Sequence, residues 1–359
     1  MDVTKIDRNM TVKKVNTEGI KWISADEAPV QLLGFKWHQQ DKTYRRLPLE
    51  PKHKLSSAVH SLANHTSGGQ ARFRTNTKRL LIRAKIHKSK VRYHMTQVGS
   101  CGFDLYRGVG NNAVFAGMTK FEWDATEFVA QAHFDSSRSM SDFTLNFPLY
   151  NGVYSVEIGI DEKAKLEAPT PLSSDKPVVI YGTSITQGGC ATRPGMSYTN
   201  ILSRRLNREF VNLGFSGSGK GEPEIARLIN EIENKALVVL DFECNTHEAL
   251  RKVLKPFIQE LRSADKEVPI LVLSRIPLQR DQKDTARAKR DSLRDFQRDL
   301  VKALAKAGDR NIYFQDGTTL LEEKWLYEGT VDGTHPTDLG FLMMADSLAP
   351  VLSEILEQD

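Results

Sequence analysis

Four short stretches in the C-terminal half of this sequence carry residues that can do chemistry together. Val178-Val-Ile-Tyr-Gly-Thr-Ser-Ile-Thr-Gln is an apolar run broken by Gly182, which lets the chain turn sharply and expose the Ser184 hydroxyl at a strand tip. A serine so placed becomes a nucleophile if a base lies within reach; taken alone, it fits a helix cap equally well. Only two histidines lie in this half, His247 and His335. His335 falls in Val331-Asp-Gly-Thr-His-Pro, where Asp332 is three residues upstream. In a turn, that carboxylate can hold one imidazole nitrogen while the other faces the serine. A lone Asp-x-x-His is otherwise a helix-capping aspartate with an incidental histidine. Its pairing with a serine at a strand tip favours catalysis. Acyl chemistry also requires donors for a developing oxyanion. Val211-Asn-Leu-Gly-Phe-Ser-Gly offers the N–H of Gly217, and Leu240-Asp-Phe-Glu-Cys-Asn offers the Asn245 amide. Each alone fits a glycine turn or a polar loop; together at successive strand ends they suggest a site.

These stretches need strand tips to hold them. After Lys176, apolar runs at 178–181, 210–213, 237–240, 270–273 and 312–314 alternate with segments of helical periodicity at 223–234, 249–265, around 293–304 and 339–356. Apolar strands alternating with amphipathic helices predict a parallel sheet covered on both faces, with its chemistry at the strands' carboxyl ends. Neither GxGxxG nor GxxxxGK[ST] is present, so a nucleotide loop is not expected. Upstream, short strands are expected at 30–37, 70–75, 79–86, 102–107, 112–116, 142–146 and 153–160, separated by Gly, Asn, Pro and Ser. That pattern suggests a β-sandwich or jelly roll. A Pro/Ser-rich segment at 168–177 reads as the linker, giving domains 1–170 and 175–359.

The motifs resemble those of the SGNH/GDSL hydrolase superfamily. Gly182-Thr-Ser-Ile-Thr looks like its first block, Asn212-Leu-Gly-Phe-Ser-Gly its second, Asn245 occupies the third, and Asp332-Gly-Thr-His-Pro matches the last. Thr183 departs from the usual aspartate, which puts local support in question more than chemistry. Gly102-Phe-Asp-Leu-Tyr resembles the GxDLY motif of a β-sandwich domain fused ahead of one SGNH branch. The resemblance implies an α/β fold: an N-terminal jelly-roll-like sandwich, then a three-layer α/β/α domain of flavodoxin-like strand order. It also implies ester hydrolysis through an acyl-serine. Ser184 attacks, His335 takes the proton and Asp332 orients His335, while Ser184 N–H, Gly217 N–H and Asn245 form the oxyanion hole. No cofactor or metal is expected.

The substrate is less determined. Fused sandwich modules of this kind accompany carbohydrate-active and acyl-transferring proteins, so removal of acetyl or another short acyl group from a sugar is the favoured expectation. Acyl transfer to an alcohol by the same residues is the alternative; a lipase or a non-catalytic glycan-binding protein ranks lower. Asp104, Tyr106, Arg193 and His247 are candidate substrate contacts, although a helix-start polar residue fits His247 better. Trp22, Trp37, Tyr106 and Trp123 offer flat faces for sugars, with core packing the plainer account of each.

Composition narrows the classes further. The chain has 359 residues, 40% hydrophobic and 26% charged, as in ordinary globular proteins. No window approaches the ~18 consecutive apolar residues of a membrane span, and the start lacks an apolar signal region, so the chain is expected to be cytoplasmic or secreted with its leader removed. Three cysteines exclude a disulfide scaffold; Cys101, Cys190 and Cys244 show no ligand spacing, and Cys190 and Cys244 read as packing residues. Seven of the nine histidines are scattered through the first domain without ligand pairing. The net charge of +5 divides as +8 before residue 175 and −3 from residue 175 onward, with eleven basic and no acidic residues between 51 and 100. Such a run could be an electrostatic footprint for nucleic acid or an anionic glycan, but its alternation with apolar residues favours a solvated strand face, and no nucleic-acid partner is expected. The sequence assigns no oligomeric state.

Overall fold

The computed structural model describes Val3, Ile6, Asp7 and residues 11–88 and 92–357. Ten strands precede residue 168: β1 (Ile20–Ser24), β2 (Gln31–Leu33), β3 (Gln70–Thr75), β4 (Arg79–Ile86), β5 (Asp104–Arg107), β6 (Val114–Met118), β7 (Glu127–Phe134), β8 (Ser141–Asn146), β9 (Val153–Asp161) and β10 (Leu166–Glu167). They pair antiparallel into two sheets, β1-β9-β4-β7 and β10-β3-β8-β5-β6, with β2 added to β3. Alternate residues point inward. Leu80, Ile82 and Ala84 of β4, Val156, Ile158 and Ile160 of β9, and Phe143 and Leu145 of β8 are buried in one core. β1, β7 and β10 lie outside the strands expected from sequence. The strand expected at 30–37 stops at Leu33, because Gly34 turns the chain with φ +84°.

The opposite faces explain the basic run. Arg74 pairs with Asp142 at 3.4 Å, Arg79 with Asp161 at 2.8 Å, Arg83 with Glu157 at 2.5 Å and Lys85 with Glu127 at 2.8 Å. Acidic residues of β7, β8 and β9 thus neutralise basic residues of β3 and β4 across the strands. Four of the run's eleven basic residues are paired on a strand face.

Three short helices interrupt the first half: α1 (His38–Asp41), α2 (Ser57–Leu62) and α3 (Gln97–Cys101). Later come α4 (Ser184–Gln187), α5 (Tyr198–Leu206), α6 (Pro223–Asn230), α7 (Glu243–Thr246), α8 (Leu250–Ala264), α9 (Asp284–Lys306), α10 (Leu326–Gly329) and α11 (Asp338–Leu356). Their strands are β11 (Val178–Gly182), β12 (Phe210–Gly214), β13 (Leu237–Asp241), β14 (Ile270–Leu273) and β15 (Ile312–Gln315), all parallel, in the order β12-β11-β13-β14-β15. This is the flavodoxin-like order, with its switch point where β12 and β13 flank β11. One face is covered by α6, α8 and α9 through Ile225, Leu228, Leu254, Phe257 and Leu293; the other by α5 and α11 through Ile201, Leu202, Phe341, Met344 and Leu348. By length and mean hydropathy (1.5), α11 could cross a membrane, yet this apolar stripe is spent on the sheet.

The two halves share a core. Trp37, Leu47, Val59 and Ala63 pack in one cluster with Val211, Leu213 and Phe215. Arg46, fully buried, donates to the carbonyls of Asn212 (3.2 Å) and Gly214 (2.5 Å) at the end of β12. Burial pulls its guanidinium down to about 9, and the carbonyls compensate that desolvation.

Candidate active site

β11 is buried throughout and ends at Gly182, where no side chain fits: an added Cβ would lie 1.9 Å from Thr186 Oγ1 and 2.6 Å from the Asp241 carbonyl. The chain turns there into α4. Its N-cap is Thr183, whose hydroxyl accepts from Ile185 N–H at 3.3 Å in a capping box with Thr186. Thr183 therefore takes the capping role that Ser184 could have filled. It also supplies the local support that its departure from the usual aspartate had left in question. Ser184, 9% exposed, keeps its hydroxyl free to face the site.

His335 is delivered by a tight turn. Asp332 Oδ1 accepts from the N–H groups of Thr334 (3.0 Å) and His335 (2.8 Å), and its Oδ2 lies 2.8 Å from His335 Nδ1. The other ring nitrogen, Nε2, lies 2.9 Å from Ser184 Oγ. An ionised carboxylate only accepts, so the proton sits on Nδ1 and Nε2 is left to accept from the serine hydroxyl. Burial raises the Asp332 carboxyl, but hydrogen bonds from the backbone and ring of His335 outweigh it and hold the group below its ordinary value. The turn is braced by the Thr330–Pro336 bridge and by Gln279 N–H on the Gly333 carbonyl at 2.8 Å.

The remaining candidates lie just after the ends of the strands flanking β11. Ser184 occupies the first helical position of α4, whose N–H has no intrahelical partner. Gly217, after β12, has φ +66°, and a Cβ built there would meet nothing within 4 Å. Asn245 lies in α7, after β13; its amide oxygen is assigned to the side facing Ser218 N–H (3.1 Å) and Gly219 N–H (3.2 Å), which leaves the NH₂ as a donor. Asn212 ties β12 to the nucleophile turn, donating to the Thr186 carbonyl at 2.7 Å and accepting from Gly214 N–H at 2.9 Å.

Sequence reasoning missed the contribution of the first half. Tyr150 donates to the Ser184 carbonyl (3.2 Å), Ser67 to the Gln187 carbonyl (2.7 Å), and Gln187 to the Leu149 carbonyl (3.0 Å). The short helix bearing Ser184 is thereby held from the sandwich side. No catalytic spacing marks these residues; only the fold brings them here.

Asp104, Tyr106 and Arg193 require a correction. Asp104 is 0% exposed and accepts from Arg193 Nη1 at 2.7 Å, Asn146 Nδ2 at 2.9 Å and Gly195 N–H at 3.0 Å. Arg193 also donates to Tyr106 Oη at 2.6 Å. Burial raises the Asp104 carboxyl against the pull of Arg193. The three residues form a buried clasp and leave no free cation or carboxylate for a substrate. His247 is exposed, with φ +47°, and no hydrogen bond joins it to Ser184 or His335 among the described residues. Of the proposed sugar platforms, Tyr106 and Trp37 are buried and Trp22 is covered by the Arg83 guanidinium at 4.2 Å; Trp123 is exposed. The exposed aromatic beside the site is Tyr93, whose ring lies 4.5 Å from His94, itself 5.6 Å from His335. Burial pushes the thiols of Cys190 and Cys244 up to about 12, as suits packing residues. The histidines of the first half are not all unpartnered as ligands, however: His94 groups with Cys190 and His335.

The fold and this geometry define a class, and comparison identifies it. Residues 175–353 match the GDSL-like Lipase/Acylhydrolase family, and residues 20–166 match GxDLY, the N-terminus of Esterase_SGNH_hydro-type. The chain belongs to the two-domain SGNH/GDSL-like hydrolases with an N-terminal GxDLY domain, a class of carboxylic ester hydrolases. It is similar to a Bacteroides ovatus protein classed as a GDSL-like lipase, at 29% identity and a TM-score of 0.84 over 94% of this chain and 98% of that one. The fold is shared with the salicylyl-acyltransferase SsfX3 of a tetracycline biosynthetic pathway (20% identity, TM-score 0.73, 95% and 98% covered). It is also shared with a family two carbohydrate esterase from Cellvibrio japonicus (12%, TM-score 0.60, 94% and 98% covered). No curated protein matches the sequence.

Proposed function

We propose that this hydrolase is a serine esterase that removes short acyl groups, acetyl foremost, from carbohydrate hydroxyls through an acyl-Ser184 intermediate. The observation that carries the proposal is the unbroken chain from Asp332 through His335 to Ser184, at 2.8 and 2.9 Å, placed at the sheet's switch point. Ser184 Oγ attacks the acyl carbonyl as His335 Nε2 takes its proton, and Asp332 holds the resulting imidazolium. The oxyanion is met by the N–H groups of Ser184 and Gly217 and by the Asn245 NH₂. His335 then protonates the leaving sugar oxygen, and water resolves the acyl-enzyme by the same route in reverse.

A sugar is supported by the exposed face of Tyr93 and by the likeness in fold to carbohydrate esterases. The test is a panel of p-nitrophenyl esters of graded length and acetylated oligosaccharides, with and without sugar-alcohol acceptors. Acetyl esters should turn over fastest, with free acetate as product, and Ser184→Ala should lose on the order of 10⁴–10⁶-fold in kcat. Activity surviving in Ser184→Ala would remove the nucleophile. Acylated acceptor formed faster than free acid would make the enzyme a transferase, and a preference for long chains would exclude the short-acyl reading.

A further inference from the structure

We infer that His94, Cys190 and His335 form a binding site for a soft divalent cation, Zn²⁺ foremost, whose occupation takes His335 out of service. Each residue offers one ligand atom, and the three atoms lie within 4.8 Å of one another. Around a tetrahedral zinc with bonds of about 2.0–2.3 Å, ligand atoms stand roughly 3.3–3.8 Å apart. Small side-chain rotations close the remaining gap. Two imidazoles and a sulfur are the donors that select zinc over magnesium or calcium, and three protein ligands leave a fourth position for water.

Two further observations point to a ligand. His94 Nδ1 is buried and has no hydrogen-bond partner among the described residues, so one ring nitrogen of this histidine is desolvated without recompense. His335 presents its ligand atom already oriented. Nδ1 is committed to Asp332, leaving Nε2 for the metal in the carboxylate–histidine–metal arrangement common to metal sites. The same Nε2 faces Ser184 Oγ at 2.9 Å. A cation on that nitrogen removes the lone pair that would take the serine proton, so binding and catalysis compete for one atom.

The test uses the full chain stripped with EDTA and titrated with buffered Zn²⁺. Equilibrium dialysis should find one ion per chain in the wild type. The p-nitrophenyl acetate rate should fall in step with occupancy, and Mg²⁺ should have no effect. Cys190→Ser and, independently, His94→Gln should keep the metal-free rate and shift the zinc midpoint by more than about 10-fold, the minimum expected for losing even an outer-shell partner. The rate measurement rests on the esterase reading; dialysis does not, so failure of one is distinguishable from failure of the other. Absence of saturable binding, binding unmoved by both substitutions, or occupancy that leaves the rate unchanged overturns the inference.

Discussion

Replacing Asp104 with alanine removes the carboxylate on which the sandwich grips the loop carrying Arg193 and Gly195. Asp104 is completely buried and accepts from Arg193, Asn146 and Gly195. Truncating one member of a buried ion pair costs about 3–5 kcal/mol, because the partner's charge is left uncompensated. The Arg193 side chain keeps 19% exposure; water relieves part of that penalty, so the lower end, about 3 kcal/mol, applies. The damage should also reach the site. Arg193 and Gly195 lie in the loop where Thr192 N–H donates to Asp338 Oδ1 at 2.9 Å, and Asp338 opens α11 three residues beyond His335. Loosening the clasp therefore frees the segment that carries His335. Urea unfolding followed by fluorescence should show the midpoint lowered, and steady-state kinetics should show kcat reduced with KM little changed. Asp104→Asn, which keeps the shape and the acceptor for Gly195 but not the charge, should fall between. A variant with unaltered stability and a raised KM would refute the clasp and restore Asp104 as a substrate contact.

Asn245→Ala should lower turnover by ~10²–10³, about 3–4 kcal/mol of transition-state stabilisation, with an unchanged circular dichroism spectrum; an unchanged rate would remove Asn245 from the oxyanion hole. Asp241 predicts a pH effect on stability. Burial raises its carboxyl from 3.8 to about 7, against hydrogen bonds from Thr186 and Tyr198. A raised acid contributes stability that is complete below its unfolded value and lost as pH climbs through the folded one. Asp241→Asn does not titrate, so its stability relative to wild type should improve by about 2–3 kcal/mol between pH 5 and pH 8. Denaturation curves at the two pH values check this, and a pH-independent difference would refute it.

The second half of the chain was largely legible because its signals are strong and local. Five apolar runs became five parallel strands, with 270–273 matching to the residue, and the helix expected at 249–265 forms at Leu250–Ala264. Ser184 and His335, 151 positions apart, stand within hydrogen-bonding distance because the turn ahead of α11 meets the short helix that follows β11. The first half was less legible for a physical reason. Its short strands are held by cross-strand pairing, and in β7 the exposed Glu127 and Gln131 interrupt the apolar signal. Asp104 and Tyr106 are covered and not candidate substrate contacts, which sequence alone does not show, because alternation gives the face of a strand but not what covers it. Here the cover is Arg193, 89 residues away from Asp104. The same limit hid the grouping of His94 with Cys190 and His335, which lie in the other half of the chain.

Thr183 shows how a motif can lose a letter and keep its geometry. A threonine hydroxyl caps α4 without placing a charge beside the nucleophile, accepting from Ile185 N–H while the Thr186 hydroxyl accepts from Thr183 N–H at 3.1 Å. The Thr186 hydroxyl in turn donates to Asp241 at 2.8 Å, and Tyr198 donates to the same carboxylate oxygen at 2.8 Å. A buried carboxylate thus remains next to the nucleophile turn, contributed by the end of β13 and reached through a side chain of α4. Because both hydroxyls point their protons at Asp241, Thr186 is oriented to accept from Thr183 N–H, so the capping box depends on a residue one strand away. The turn that holds Ser184 is therefore specified from three directions: by the threonine pair within α4, by Asp241 at the end of β13, and by Tyr150 and Ser67 from the sandwich. Agreement among three separately encoded supports is what lets a four-residue helix, too short to be stable alone, hold a hydroxyl 2.9 Å from its base.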